Sequence, residues 1–339
     1  MFKLSIGIIS YNRPFELHRT IKSLLPLPEG VEVIICDDKS PRLDEILSNI
    51  SYLIDNEKIK FVINESNLGY DENLFHVIEL VNSDHVFLLG DDDYLEPGAI
   101  DNVLNFIGTE NNINCAFLRF SNGFDNNYTR NYGRNIYFNN QTIVNNGSFL
   151  FNSILFSGLI FAKKPVLENK AILRNFFKSI YIQVAIFSIL NIKHGSFFIG
   201  GPGVIVGGDG ESGFGFNESS AGLDTDLKDR SSVISNLSYH KRLFYVIYKL
   251  SNDIKTDIYS PFINEYKIRS VKAFIVARKQ GRKYLTKYFL ELNKLNVPGI
   301  LFFYPIYLII FILPFSFLFK PFKFIEELLT SYRIRKKLI

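Results

Sequence analysis

The amino-acid sequence predicts an α/β protein built on a mostly parallel sheet flanked by helices, continuing into a helical C-terminal region and a membrane-associated tail. Three observations predict it. Short β-branched runs alternate with segments of helical periodicity over the first hundred residues, a polar loop follows each run, and after Asp224 the strand patterns give way to helical ones.

Leu4 to Ile9 is the first apolar run, closed by the turn-like Tyr11-Asn12-Arg13-Pro14. Phe15 to Leu25 then carries Leu17, Ile21, Leu24 and Leu25 at helical spacing. Val31 to Cys36 is a second strand ending in Asp37-Asp38-Lys39-Ser40-Pro41, with a helix over 43–54 behind it. Ile59 to Asn64 is a third strand, Glu72 to Val81 a helix with Leu74, Val77, Ile78 and Val81 on one face, and His85 to Leu89 a fourth strand. In a parallel sheet, ligands bind beyond the carboxyl ends of the strands. That rule selects Ser10-Tyr11-Asn12-Arg13, Asp37-Asp38, Asn67-Leu68-Gly69-Tyr70-Asp71 and Gly90-Asp91-Asp92-Asp93.

From Asn111 to Ile160 strands alternate with Asn-rich loops, Cys115–Phe120 and Leu155–Phe161 being the clearest, so a mixed extension of the sheet is expected. A helix over 176–190 and a last strand over 195–206 follow. They lead into residues 207–215, whose five glycines mark either a mobile lid or an ordinary surface loop. The expected division is a catalytic domain over 1–222, with a nucleotide half 1–110 and an acceptor half 111–222. A helical region follows over 223–294, with helices at 237–249 and 266–294, and then a hydrophobic segment with a basic tail over 295–339.

With 339 residues, 47% of them hydrophobic, the chain has ample material for a core and does not read as disordered. The net charge of +4 is modest, and the basic residues thicken at 278–283 and 333–337, which points to an anionic surface near one end. A membrane surface fits better than nucleic acid, because the first two thirds holds no basic stripe interleaved with aromatics. Cys36 and Cys115 sit in apolar runs and read as buried hydrophobes. The opening stretch has no basic n-region, sustained apolar run or cleavage site, so no secretory leader is expected.

Three consecutive carboxylates directly after a buried strand are electrostatically expensive, because like charges a few ångströms apart raise one another's pKa. A divalent cation compensates: Mg²⁺ or Mn²⁺ takes oxygen ligands and commonly joins one or two carboxylates to substrate phosphates. The bland alternative is a solvated turn in which one Asp caps the helix beginning near Pro97.

Four segments in order resemble glycosyltransferase family 2: Ile8-Ile9-Ser10-Tyr11-Asn12-Arg13-Pro14, Val33-Ile34-Ile35-Cys36-Asp37-Asp38-Lys39-Ser40, Asn67-Leu68-Gly69-Tyr70-Asp71-Glu72-Asn73, and the run from Phe87 through Gly90-Asp91-Asp92-Asp93-Tyr94-Leu95-Glu96-Pro97-Gly98 to Ile100. The resemblance implies a GT-A fold and transfer of a hexosyl-type sugar from a nucleotide-sugar donor. In general texture the chain is most similar to abequosyltransferase-type O-antigen enzymes, which implies a dideoxyhexose and a lipid-linked oligosaccharide acceptor in lipopolysaccharide biosynthesis. It further implies that Ser10 and Tyr11 border the nucleotide, that Asp37 or Asp38 bonds the base or ribose, and that Asn67 and Gly69 shape the loop over it. Asp91 and Asp93 would form the DXD signature around a Mg²⁺ or Mn²⁺ ion, with Asp92 beside them. Arg13 and Asp71 belong to the same nucleotide-sugar set. Asp37 could equally cap the helix that follows it. Many family members carry Asp where this chain has Gly90.

Inverting transfer needs a general base within hydrogen-bond reach of the acceptor hydroxyl. The stretch matching the family's usual position, Lys178-Ser179-Ile180-Tyr181-Ile182-Gln183-Val184, holds no carboxylate. Asp209 and Glu211 in the Gly-rich loop are the substitutes, with Glu168 more distant and Gln183 left to orient the acceptor.

Residues 295–319 hold no charge, enough for a membrane-spanning candidate. Basic flanks on both sides and prolines at 305 and 314 favour an interfacial or re-entrant hairpin on the cytoplasmic face of the inner membrane, making the protein peripheral or monotopic. The rival readings are a sugar nucleotidyltransferase, which would want a Gly-rich phosphate loop after the first strand, and a non-catalytic membrane scaffold of glycan assembly.

Overall fold

A computed structural model of the chain describes residues 2–110, 112–122, 125–128, 132–207, 233–234, 236–295, 298–314 and 317. The chain divides into two compact units, residues 1–145 with 149–223, and residues 146–148 with 224–339.

The first unit opens with β1 (Leu4–Ser10), α1 (Pro14–Ser23), β2 (Val31–Asp37), α2 (Leu43–Ile54), β3 (Ile59–Ile63), α3 (Tyr70–Leu80) and β4 (His85–Gly90). β2 is buried along its whole length and β1 along nearly all of it, as expected of central strands covered on both faces. Leu17 and Ile21 of α1 and Ile46, Ile50 and Leu53 of α2 line one side of the core, while Leu74, Val77 and Ile78 of α3 are likewise buried. The chain continues through β5 (Tyr94–Leu95), α4 (Ala99–Thr109), β6 (Cys115–Asn122), β7 (Asp125–Tyr128), β8 (Ile136–Phe138), α5 (Thr142–Asn145), β9 (Leu159–Ala162), α6 (Lys163–Glu168), α7 (Lys170–Leu173), α8 (Ile182–His194) and β10 (Ser196–Ile205).

Among the described residues the sheet has ten strands, in the order β3-β2-β1-β4-β9-β6-β10-β5, with β7 on β6 and β8 on β10. β1, β2, β3 and β4 are mutually parallel. β9 runs antiparallel to both β4 and β6, which gives the mixed extension expected from the sequence. The register sets Ser10 against Asp37, Asp37 against Ile63 and Ile9 against Gly90, so these strands end on one edge. Strand order reverses between β1 and β4, which is where an open α/β sheet leaves a crevice. Cys36 and Cys115 are free and buried.

Two elements differ from the periodicity reading. The strand expected over 155–161 begins only at Leu159, and the helix expected from Phe176 begins in earnest at Ile182. Between Phe176 and Ile182, Lys178 and Ile180 adopt left-handed backbone angles, φ 69° and 65°, which is costly for a β-branched residue and incompatible with a continuous helix.

The second unit contains α9 (Asn236–Asp253), α10 (Tyr259–Lys279), α11 (Arg282–Lys294) and α12 (Phe303–Ile312). The single helix expected over 266–294 is two, broken at Gly281, whose φ of 114° no other residue type adopts cheaply. Phe274 stacks on Phe303 with ring centroids 5.7 Å apart, and Phe289 on Tyr307 at 4.4 Å, joining α10, α11 and α12 through aromatic faces. Among the described residues no helix is long and apolar enough to cross a membrane. α12 has ten residues, and Pro305 lies in its first turn, where the missing N–H costs nothing, so it does not break the helix as expected. Arg278 and Arg282 donate to the carbonyls of Ile310 and Phe311 at 3.2 and 3.1 Å, closing the C-terminal end. The basic cluster 333–337 lies outside the described residues.

Candidate active site at the carboxyl edge of the sheet

Each polar loop selected from the sequence emerges at the same edge, and each is braced by a buried carboxylate. Asp37 ends β2 with no exposed surface. Its Oδ1 accepts the Ser40 amide at 2.8 Å and its Oδ2 the Ser40 hydroxyl at 2.5 Å. The Ser40 hydroxyl also accepts the Asn12 amide at 2.8 Å, tying the loop after β2 to the loop after β1. Asp38 accepts the amides of Leu68 and Gly69 at 2.7 and 2.8 Å and the Asn64 side chain at 3.0 Å, so it fixes the loop that includes Asn67. Asn67 itself accepts the Gly69 amide at 3.1 Å. Partial burial holds the Tyr11 phenol above its ordinary value, against a hydrogen bond from Asn67 and with Asp38 and Asp37 nearby. Ser10 lies buried at the end of β1.

Asp71 follows the 67–69 loop in the first turn of α3. It is buried, and its two oxygens accept the Ile180 and Ile182 amides at 2.7 and 3.0 Å. The carboxylate grouped with the nucleotide set by sequence position is therefore spent on the N-terminus of α8, a capping arrangement that also holds the left-handed turn at Ile180.

The triplet follows β4. Arg13, at the N-cap of α1, places one guanidinium nitrogen 3.0 Å from Asp91 Oδ1 and 2.5 Å from Asp92 Oδ2. Thr20, about two turns further along α1, donates to the backbone carbonyls of both Asp91 and Asp93, at 2.9 and 3.0 Å. Asp93 accepts the Ser157 hydroxyl and, at 3.2 Å, the Gly207 amide. Burial pushes the Asp91 carboxyl up to about 7, with Arg13 opposing the rise and Asp92 adding to it. Burial also pushes Asp93 up to about 6, with Asp92 adding to the rise and Ser157 opposing it.

Gly90 has a local reason. A Cβ there would stand 2.8 Å from Asp93 Oδ2 and 3.1 Å from Ser157 Oγ, so the space a side chain would need is used by the Asp93–Ser157 pair. Gly207 is tighter still, since a Cβ would overlap the Asp92 carbonyl oxygen.

Oxygen donors of the triplet suit Mg²⁺ or Mn²⁺. Asp93 is engaged by a hydroxyl and an amide, Asp91 and Asp92 by Arg13, and among the described residues no group of three His, Cys, Asp or Glu side chains gathers about one ion position. The set fits an ion held by one or two carboxylates and completed by substrate phosphates and water, not an all-protein cage.

Of the proposed bases, Asp209 and Glu211 lie outside the described residues. Glu168 is exposed at the end of α6, which follows β9. Because β9 sets Ala162 against His85, the first residue of β4, the chain leaves β9 at the sheet edge opposite the triplet, which removes Glu168 from the site. Gln183 is buried, with its Nε2 donating to the Ile154 carbonyl at 2.7 Å and its Oε1 lacking a hydrogen-bond partner among the described residues. Thr20, Ser40 and Ser157 were not singled out from the sequence. Each is a lone hydroxyl whose partner lies in another loop or element, and no local pattern marks it.

Residues 5–167 match the model of glycosyl transferase family 2. The family 2 match ends just after β9 and so contains all four polar loops and the triplet. The sheet with its flanking helices and helical C-terminal region has the GT-A architecture. Residues 1–349 of S. aureus TarS are similar in structure, with TM-score 0.56, 13% sequence identity, and coverage of 88% of this chain and 81% of that one. The same TarS residues in complex with UDP-GlcNAc give 0.52 at 13% identity, covering 87% and 83%. Their complex with UDP gives 0.51 at 12%, covering 88% and 83%. Among curated proteins, no sequence matches the chain.

Proposed function

We infer that the chain is a nucleotide-sugar glycosyltransferase whose donor diphosphate sits over Asp91-Asp92-Asp93. The observation that carries this reading is the burial of Asp91 and Asp93 at the switch point between β1 and β4, within the region matching family 2. The TarS complexes with UDP and UDP-GlcNAc support a nucleotide sugar as the ligand class.

In this reading Asp38 holds the 67–69 loop for the nucleoside, and Tyr11 borders it. One or two carboxylates of the triplet would hold a Mg²⁺ or Mn²⁺ ion, which when bound would supply charge neutralisation for the departing nucleoside diphosphate. Asp91 and Asp93 arrive with pKa values raised to about 7 and 6, so a cation that stabilises their ionised forms is favoured there. The donor is a hexosyl-type nucleotide sugar, with the dideoxyhexose of abequosyl-type O-antigen enzymes as the finer assignment. The acceptor is a lipid-linked glycan.

Exposed apolar residues on and beside α12, among them Leu301, Leu308, Ile309 and Ile312, with Arg278 and Arg282 at its end, support docking at the cytoplasmic face of the inner membrane. The test is a thermal-shift panel of UDP-, GDP-, CDP- and dTDP-sugars with and without Mn²⁺. One donor class should raise the melting temperature, and more so with the metal. No shift with any of them would reject the assignment.

A further inference from the structure

The geometry points to Arg13 as a resident cation that competes with the divalent ion for Asp91 and Asp92 and is drawn away by the donor's diphosphate. The inference rests on the nucleotide-sugar reading of this site.

The backbone around Arg13 is fixed. Its neighbour Asn12 is in the left-handed region at φ 58° with its amide on Ser40, Pro14 starts α1, and the Arg13 carbonyl accepts the Leu17 amide at 3.1 Å. The backbone that carries the carboxylates it meets is fixed as well, because Thr20 holds the main-chain carbonyls of Asp91 and Asp93. What remains adjustable is the Arg13 side chain itself, a guanidinium on a stem of rotatable bonds. It reaches Asp91 and Asp92 with one nitrogen, so the fork is not committed to a two-pronged carboxylate pair. Asp92 is the more open partner, its side chain 26% exposed against 11% for Asp91, which leaves a route for an ion from solvent.

A guanidinium and a divalent cation cannot share these two carboxylates without strong mutual repulsion at this depth. A diphosphate resolves the conflict, since it offers the guanidinium oxygens in a geometry that suits its fork and offers the ion further ligands. Metal and donor then bind cooperatively: each ligand pays less once the other has displaced or received Arg13. In the donor-free protein Arg13 neutralises Asp91 and Asp92 and keeps adventitious cations off the site.

Mn²⁺ binding followed by electron paramagnetic resonance tests this without any turnover. Wild type should bind Mn²⁺ alone weakly, and Arg13→Gln should bind it at least about tenfold more tightly, an increase of about 1.4 kcal/mol that a damaged fold would not produce. Arg13→Lys, which keeps the charge, should stay near wild type and serves if the glutamine variant folds poorly. UDP, GDP, CDP and dTDP, each added in turn, should tighten Mn²⁺ binding to wild type with one of them and tighten it less in Arg13→Gln. Equal Mn²⁺ affinity in wild type and Arg13→Gln would overturn the role of Arg13. Tighter binding in Arg13→Gln with no response to any nucleotide would leave the competition standing and strike the nucleotide-sugar reading instead.

Discussion

The two units bury polarity in opposite ways. In the first, Asp37, Asp38, Asp71, Asp91 and Asp93 are all buried; Asp38, Asp71, Asp91 and Asp93 accept hydrogen bonds from another loop or helix end, and Asp37 accepts them from Ser40 in the loop that follows it. In the second, the described helices meet through aromatic rings, and their ion pairs lie along helix surfaces, as between Lys249 and Asp253 or Arg269 and Glu265. Buried carboxylates are costly unless each is satisfied. The first unit therefore trades stability for a preorganised edge, while the second is assembled from non-directional packing. A site that must hold a charged ligand needs the former, and a supporting helical region needs only the latter.

The sharpest way to break this contrast is at Gly207. Gly207→Ala forces the chain away from the Asp92 carbonyl, and sugar transfer should fall at least about 100-fold, as expected for a displacement near 1 Å at a reacting centre. The far-UV spectrum should be unchanged. Activity within threefold of wild type would show that the edge tolerates movement.

Asp71→Ala tests whether the buried carboxylates brace the first unit. It strips the Ile180 and Ile182 amides of their acceptor and should cost about 1–2 kcal/mol, read as a drop of several degrees in melting temperature. An unchanged melt would mean that the left-handed turn at Ile180 holds without it.

The second unit carries its own titration. Burial lowers half-buried His240, whose Nδ1 lies 2.9 Å from the Tyr266 hydroxyl, from 6.5 to about 4. The unfolded chain binds a proton below pH 6.5 where the folded one does not, so stability is full above 6.5 and falls as pH drops toward 4. Because the ring keeps some contact with water, the loss should be about 1–2 kcal/mol. Urea melts at pH 7, 5.5 and 4.5 should show it, and His240→Phe should flatten the profile.

The smallest stability effect is expected on α12. Leu308→Glu with Ile312→Glu, at positions 52% and 66% exposed, should change stability by less than about 0.5 kcal/mol each. Binding to vesicles containing anionic lipid should nonetheless collapse. Retained vesicle binding would remove α12 from the membrane assignment.

Most of the sheet was legible because β1 and β2 are β-branched runs buried almost throughout, β4 is an equally buried apolar run, and even the half-exposed edge strand β3 is short and apolar, and such runs announce themselves locally. The edge where the site lies followed from the rule about carboxyl ends, and the loops beginning at Ser10, Asp37, Asn67 and Gly90 do follow or brace that edge. What stayed hidden was non-local. Asp71 belongs to a stretch that reads from sequence as a ligand-facing loop, yet it lies in the first turn of α3 and its partners lie more than a hundred residues along the chain. The break at Gly281 was masked by good helical periodicity on either side, and the left-handed turn at Lys178 and Ile180 by apolar spacing that suits a helix. Pro305 was read as a breaker because the helix start at Phe303 was not foreseen.

Gly90 also constrains how related sequences can vary. Asp93 and Ser157 fill the volume beside it, so positions 90 and 157 draw on one small space. A relative with a carboxylate at position 90 should carry a smaller residue or a shifted backbone at 157, and its third triplet position should find a different hydroxyl or none. The two positions should therefore covary, and a chain that keeps serine at 157 can be expected to keep glycine at 90.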